Sequence, residues 1–313
     1  MPRSPMPARN ETTPPWLAGL LWAGLTVTIF AGWFVVTRFS VTRELRLWDV
    51  TALRFGVGAL LLSPALLRRG HRLPAARWGE GLLYACLWGL PFVLLVAFGL
   101  QRTSAGQAAA IAPTLMPVFA GLFAWAVLKE LQGRVRWLGH GIIVAGIVCM
   151  VAAGAAAHGM ADPLGLAALA CGSSMWAVYT LLFRRSSLTP VQSAALICVW
   201  SALLFLPVYV LGGLSRLGQA SGAEIALQVL YQGVLMSGVA IVSFNRAVAL
   251  LGPAAASAII ALIPAVAALA AIPVLGEWPA PVEAAALACV VGGVLLSARR
   301  APSITTTHGD RTP

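Results

Sequence analysis

Arg54 is the residue whose type and position most clearly suggest chemistry, because it stands inside a long apolar block of the sequence. A charged side chain at the centre of a bilayer costs about 2.5 to 3.5 kcal/mol or more, and less near the interface. Such a side chain should face protein or water and find a partner. Two interpretations stay open: a docking point or gate for a ligand carboxylate or phosphate, and a structural arginine that binds backbone carbonyls.

A second group of candidates combines aromatic rings with small polar side chains at interior positions of apolar blocks. Aromatic walls with a few polar groups suit an amphipathic organic ligand, through ring stacking and cation–π contacts. Ordinary helix packing would use the same residue types, so that alternative also stays open. The members of this group are Phe30, Trp33, Gln107, Ser173, Ser174, Trp176, Tyr179 and Asn245.

Prolines inside apolar blocks and glutamates at their ends form a third group, the candidates for hinges or gates. A proline leaves a backbone carbonyl without its helical partner, so matching prolines in two halves of a chain indicate pivots or binding sites. The glutamates could couple protons, anchor helix ends at the interface, or latch one half to the other. This group contains Pro113, Pro117, Pro264, Glu130 and Glu277.

The elements that must position these residues are membrane helices. Of the 313 residues, 59% are hydrophobic and only 10% are charged, with a mean hydropathy of +0.87. A soluble domain carries about 25% charged residues, so an ordinary soluble enzyme is excluded. Blocks of about 20 apolar residues predict ten transmembrane helices. Their predicted spans are 17–37, 48–67, 79–100, 105–128, 137–157, 163–183, 190–211, 225–246, 253–275 and 281–298.

The distribution of positive charge predicts the orientation of these helices. With ten crossings, fifteen of the 21 Lys and Arg residues fall on the face that carries both termini, five fall on the other face, and Arg54 lies within a span. Cytoplasmic loops carry the excess of Lys and Arg, so both termini are predicted to be cytoplasmic. The terminal segments 1–16 and 299–313 are predicted to be disordered.

An internal repeat divides the chain into two halves. Residues 105–150 align without gaps on residues 252–297 at an offset of 147, with 13 of 46 positions identical. Pro117 and Glu130 fall on Pro264 and Glu277. The halves are predicted to be five-helix repeats over 17–157 and 163–298. Because five is odd, the second repeat must be inverted in the membrane. The fold class is therefore an all-α integral membrane protein of two inverted five-helix repeats.

Several classes of site are absent from the sequence. The basic residues form no continuous stripe for nucleic acid, and His, Cys and Met do not cluster as metal ligands would. No phosphate-binding loop and no hydrolase or metalloprotease motif is present. We therefore expect no metal, no cofactor, no nucleic-acid partner and no enzymatic activity. An intramembrane enzyme and a non-transporting membrane assembly protein remain as the alternatives from other classes.

Several short patterns resemble the EamA-type branch of the drug/metabolite transporter superfamily over nearly the whole chain. They are Trp48-Asp49 with Arg54-Phe55, Pro117-Val118-Phe119, Leu128-Lys129-Glu130, the stretch Gly141 to Gly146, and Leu275-Gly276-Glu277. The resemblance implies a ten-helix permease of the inner membrane that moves small metabolites, amino acids or drug-like compounds, most often outward. One departure is that the second half has no arginine equivalent to Arg54.

Inverted repeats are a recurring basis for alternating access, in which two conformations exchange between the halves. We therefore expect a secondary-active exporter of small amphipathic metabolites, with import and exchange as alternatives. Its expected partners are the lipid bilayer, a small-molecule substrate, and either a coupling proton or an exchanged metabolite. The sequence leaves the oligomeric state open.

Overall fold

A computed structural model describes residues 14–67, 73–158, 162–183, 185–251, 262–276 and 278–298, and no strand occurs among them. Most of these residues belong to helices. In chain order the helices are α1 (Pro15–Val41), α2 (Leu47–Leu62), α3 (Pro64–Leu67), α4 (Ala75–Trp88), α5 (Leu90–Arg102), α6 (Ala105–Ala126), α7 (Arg134–His158), α8 (Pro163–Phe183), α9 (Pro190–Leu211), α10 (Gly222–Gln228), α11 (Ala240–Leu251), α12 (Ile263–Leu275) and α13 (Pro281–Ala298). A π-helical segment (Val229–Val239) joins α10 to α11.

The all-α membrane architecture predicted from the sequence is confirmed. Within the described residues, eight helical stretches are long and apolar enough to cross a bilayer, and the shorter apolar helices Ile263–Leu275 and Pro281–Ser297 follow. These ten stretches overlap the ten predicted spans. Residues 253–261 of the ninth predicted span lie outside the described part of the chain.

The third membrane helix of each repeat departs from regular α-helix near its middle. In the first repeat, Gly89 (φ −100°, ψ −125°) separates α4 from α5, and Pro91 follows at the start of α5. In the second repeat, the equivalent helix changes to the wider π form over Val229–Val239. Interruptions of this kind leave backbone groups that neighbours must satisfy, and π segments often occur at functional sites.

Helix packing has the same pattern in both repeats. Helix α1 packs on α11, and its counterpart α8 packs on α5; likewise α8 packs on α6, and α1 packs on α12. Three further pairs join a helix to its own counterpart: α2 with α9, α6 with α12, and α7 with α13. Exchange of the two repeats therefore maps one set of contacts onto the other, as expected for repeats related by a two-fold axis.

Hydrogen bonds and an ion pair join helix ends on the predicted outer face. The buried carboxylate of Asp49 accepts hydrogen bonds from the Tyr209 hydroxyl (2.6 Å) and from the backbone N–H of Arg216 (2.9 Å). At the same face, Arg102 of α5 forms an ion pair with Asp162, which precedes α8. The hydrogen bond from the Arg102 guanidinium holds the pKa of the exposed Asp162 carboxyl below its ordinary value of 3.8. The ion pair therefore persists at neutral pH and is lost as the pH falls through that lowered pKa.

Candidate functional site

A narrow cavity of about 20 Å³, enough for about one water molecule, lies where helices of both repeats meet, and it is partly open to the outside. Aromatic and aliphatic side chains form most of its wall, and Arg54 is the single charged residue among those that line it. The lining residues are Phe30, Trp33, Phe34, Arg54, Trp88, Phe92, Ala112, Pro113, Trp176, Met236 and Ile263.

Stacked aromatic rings form one side of this cavity. Trp88 of the first repeat stacks on Trp176 of the second, with ring centroids 5.9 Å apart and an interplanar angle of 19°. The Trp88 ring also stacks on Tyr179 at 4.7 Å, and Phe30 lies 6.2 Å from Trp176. These rings offer an extended π surface to a flat or apolar part of a ligand.

The break at Gly89 determines where Trp88 lies. Helix α4 ends at Trp88, and the backbone N–H of Leu90 donates to the Ser201 hydroxyl of α9 at 3.1 Å. The hydroxyl satisfies a backbone group that a regular helix would have bonded internally. The last residue of α4 is thereby held at the cavity beside the first turn of α5.

Arg54 supplies the positive charge of the site. The residue is only 7% exposed, and its Cζ lies 5.4 Å from the centre of the Trp33 ring, a cation–π distance. Its Nη1 lies 3.5 Å from Oε1 of Gln232, which is long for a hydrogen bond. Neither of the ion pairs found within the described part of the chain involves Arg54. The guanidinium therefore keeps donors for an acidic group of a ligand.

Gln232, in the π-helical segment, organises the polar side of the cavity. Its side chain is wholly buried, and its Oε1 accepts a hydrogen bond from Trp33 Nε1 at 2.8 Å. Its Nε2 donates to the Thr37 hydroxyl at 2.9 Å. Gln232 thus fixes the Trp33 ring on which the Arg54 guanidinium lies.

Five of the residues singled out from the sequence line this cavity. Phe30, Trp33, Arg54, Pro113 and Trp176 come together there from four helices of both repeats. Tyr179 lies next to the lining rings, because it stacks on Trp88, and its hydroxyl is 3.2 Å from the Ser193 hydroxyl.

The other polar candidates lie elsewhere. Ser173 donates to the Ala112 carbonyl at 2.6 Å and joins α8 to α6, whereas Ser174 binds the Cys171 carbonyl of its own helix. Gln107 belongs to the capping box of α6: the Ser104 hydroxyl accepts its backbone N–H at 3.1 Å, and its side-chain oxygen lies 3.5 Å from the Ser104 N–H. Asn245 belongs to α11, but its side chain lies outside the described part of the structure.

The hinge candidates also divide. Pro117 lies inside α6, whereas Pro264 lies in the first turn of α12, where a proline disturbs no helical hydrogen bond. Glu130 is exposed beyond the end of α6, and its N–H donates to the Ala124 carbonyl at 3.0 Å. Glu277 falls outside the described residues.

Four important residues were missed by the sequence reasoning: Trp88, Phe92, Met236 and Gln232. A signal existed for some of them. Trp88 directly precedes Gly89, and Pro91 follows two residues later; this glycine and proline predict a break within an apolar span. Gln228 and Gln232 stand one helical turn apart within another apolar span, where buried amides are rare. Met236 had no distinguishing signal.

The chain is similar to known proteins along most of its length. A family model described as the EamA-like transporter family matches residues 17–152 and 163–299. A probable terminal-alkyne amino-acid exporter of Streptantibioticus cattleyicolor is 28% identical over 291 residues, which cover 91% of this chain and 95% of that protein. The uncharacterized inner membrane transporter YedA of Escherichia coli K12 is 28% identical over 253 residues, 79% of this chain and 80% of that protein.

The fold also matches a solved structure described only as the crystal structure of a protein. That chain superposes with a TM-score of 0.64 at 22% identity, and the match covers 90% of this chain and 96% of the other. The match extends over the whole bundle and bears on the fold alone.

Proposed function

Because the chain belongs to the EamA-like transporter family, we propose that this multi-pass membrane transporter exports small amphipathic metabolites that carry a carboxylate, with hydrophobic amino acids as the leading class. The observation that carries the proposal is the pairing of Arg54 with the ring wall in one cavity. A guanidinium binds carboxylates through charge-assisted hydrogen bonds, and the rings accept an apolar side chain. The relative named as an amino-acid exporter supports this substrate class and the outward direction.

Alternating access supplies the mechanism of this proposal. The cavity is walled by both repeats, so rocking of one repeat against the other opens it to one side at a time. In the orientation that we propose, both termini face the cytoplasm and the five-helix repeats extend over 17–157 and 163–298. The substrate then enters from the cytoplasm and leaves at the face that carries the Arg102–Asp162 ion pair.

Exchange in proteoliposomes tests the role of Arg54. Vesicles loaded with unlabelled phenylalanine should take up labelled phenylalanine, and Arg54→Gln should weaken binding about 10- to 100-fold, because a hydrogen bond to a charged group contributes about 1.5 to 3 kcal/mol. Arg102→Gln, which removes an arginine at the predicted outer surface, should keep most of the exchange.

A decarboxylated analogue separates a carboxylate site from a structural arginine. Phenylethylamine lacks the carboxylate that Arg54 binds. It should therefore compete equally well with phenylalanine uptake by the wild type and by Arg54→Gln, when the two are compared at the same rate of uptake. An equal loss of affinity for both compounds in Arg54→Gln would show that the arginine acts through the shape of the cavity. No exchange of any hydrophobic amino acid by the wild type would exclude the proposed substrate class.

The direction of transport is measured in cells that maintain a proton-motive force. Expression of the wild type should protect a sensitive bacterial host against a toxic amino-acid analogue, with membrane levels matched by blotting. Greater sensitivity would instead support an importer, and exchange without net protection would support an exchanger.

A further inference from the structure

Glu224 is a buried carboxylic acid in the first turn of α10, outside the cavity. It is 7% exposed and lies in a helical stretch apolar enough to cross the membrane. Ser221 and Glu224 have the spacing of a capping box, in which the glutamate would accept a hydrogen bond from the serine N–H. Here that N–H donates to Glu44 instead, at 2.8 Å. The Glu224 carboxylate is therefore free to turn inward, where it accepts a hydrogen bond from the Ser40 hydroxyl of α1.

The polar groups around this carboxylate offer fewer hydrogen-bond donors than acceptors. Gln228, one turn further along and wholly buried, donates from its Nε2 to the Ser40 hydroxyl (2.6 Å) and to the Val36 carbonyl (3.3 Å). Its Oε1 is buried without a hydrogen-bond partner within the described structure. Both amide hydrogens and the serine hydrogen are thus already engaged, while acceptor oxygens remain. A proton on the Glu224 carboxyl would give this group of side chains one more donor.

Neutral groups hold Glu224, and the charged residues nearby have other contacts. Neither ion pair of the described chain includes Glu224. Glu44 caps α10, Asp49 binds Tyr209 and the Arg216 N–H, and the Arg43 guanidinium lies 4.1 Å from the Phe39 ring centre. The charged side chains on the segments around α10 are Arg38, Arg43, Glu44, Arg46, Asp49 and Arg216.

A row of polar side chains runs along one helix from Glu224 towards the cavity. Glu224, Gln228 and Gln232 follow one another at intervals of four residues and bind successive positions of α1. Gln232 ends this row at the cavity, where it contacts Trp33 and Arg54. A proton on Glu224 would change the hydrogen bonding of Ser40, the residue that Glu224 and Gln228 share.

We propose that the Glu224 carboxyl, supported by Ser40 and Gln228, binds the coupling proton of transport. This proposal rests on the proposed export function and adds its energy source. A proton from the outer aqueous phase attaches to a carboxylate oxygen of Glu224, and this proton passes on to the cytoplasm in the course of each transport cycle. Each inward proton is exchanged for outward movement of the metabolite.

Glu224→Gln tests the proposal in proteoliposomes that contain the full chain. The variant keeps the shape of the side chain but binds no proton in this range. It should lose phenylalanine accumulation driven by an imposed pH gradient and retain phenylalanine exchange at equal pH. Glu283→Gln is the matched control, because Glu283 occupies the same first-turn position of α13 and caps its own helix through the Ala280 N–H (2.9 Å). It should behave as the wild type.

Three outcomes would overturn the proposal: gradient-driven accumulation by Glu224→Gln at the wild-type level, equal loss in Glu283→Gln, or a wild type that exchanges phenylalanine without responding to the gradient. The last result would leave the transport function intact. Failure of the wild type to exchange any amino acid would instead refute the proposed substrate class.

Infrared difference spectroscopy decides the proposal when exchange is lost or absent. Acidification of the reconstituted wild type should produce a carboxylic-acid carbonyl band that Glu224→Gln lacks and Glu283→Gln retains. Identical bands in all three proteins would contradict proton binding at Glu224, whatever the transport assays show.

Discussion

Lys129 and Gly276 occupy equivalent positions at the ends of the fourth helices of the two repeats. Both adopt the left-handed backbone conformation, with φ values of 55° and 69°. Glycine adopts this conformation without steric cost, whereas other residues lose about 1 to 2 kcal/mol there. The first repeat therefore holds a strained lysine where the second has a relaxed glycine.

Lys129→Gly should raise the free energy of unfolding by up to about 1 kcal/mol, because relief of the left-handed strain exceeds the added flexibility of the unfolded chain. Gly276→Ala should lower it by about 1 kcal/mol through the backbone alone, since a methyl group there would touch nothing within 4 Å. Thermal unfolding in detergent measures both. Shifts of the unfolding temperature in the same direction for both variants would contradict a shared left-handed conformation at these two positions.

The candidate site was only partly predictable at this scale. Phe30 and Trp176 align at an offset of 146 between the first helices of the two repeats and do lie together, because equivalent positions of these helices face the same axis. Gln107 does not join them, because it forms a capping box with Ser104 at the start of α6. The spacing of that capping box is already visible in the sequence. A polar residue in an apolar block can therefore either line a cavity or cap a helix end, and its residue type alone does not distinguish the two.

Helices α7 and α13 form the most extensive helix pair of the described chain, and glycines bring them close together. Gly146 and Gly293 are equivalent in the two repeats, and each faces the other helix. A methyl group at Gly293 would lie 2.9 Å from the Ile143 nitrogen and 3.0 Å from the Gly139 carbonyl oxygen. These neighbours are backbone atoms, so they cannot move aside as a flexible side chain could. Small residues allow such close approach within membranes.

Gly293→Ala should therefore destabilise the protein by about 1 to 3 kcal/mol, the usual cost of overpacking. The adjacent Gly292→Ala is the control. A methyl group at that position meets nothing within 4 Å, so the change should be neutral or slightly stabilising through helix propensity. Thermal unfolding of both variants decides, and equal midpoints would contradict the close packing of α7 on α13.

Positions of helices were predictable from the sequence, but their interruptions were not. Hydropathy reports the length of chain that prefers lipid, so it located all ten apolar stretches. The non-helical Gly89 and the π-helical segment depend on partners from distant parts of the chain. Ser201 receives the freed Leu90 N–H, and the Tyr231 hydroxyl donates to the Ile29 carbonyl at 3.2 Å. No local pattern in the sequence specifies such partners.

Across the whole molecule, long-range polar contacts join residues that the predicted topology places on the same face. Arg102 pairs with Asp162 and Asp49 with Tyr209 on one face, whereas Arg136 donates to the Ser297 carbonyl on the other. A shift by one crossing would have placed such partners about 30 Å apart, the thickness of the hydrocarbon core. The agreement supports ten crossings, while the choice of cytoplasmic face still rests on the positive charges.

The stacked Trp88 and Trp176 make the protein its own optical reporter. Two indole rings 5.9 Å apart and nearly parallel couple their electronic transitions, and the resulting circular dichroism depends on their distance and angle. One ring belongs to each repeat, so rocking should change this signal when a carried amino acid is added. Trp88→Phe should remove the contribution of this pair and so identify it, because the indole pairs Trp78–Trp200 and Trp125–Trp137 keep theirs. A spectrum that stays constant during exchange would mean that these two rings move as one body.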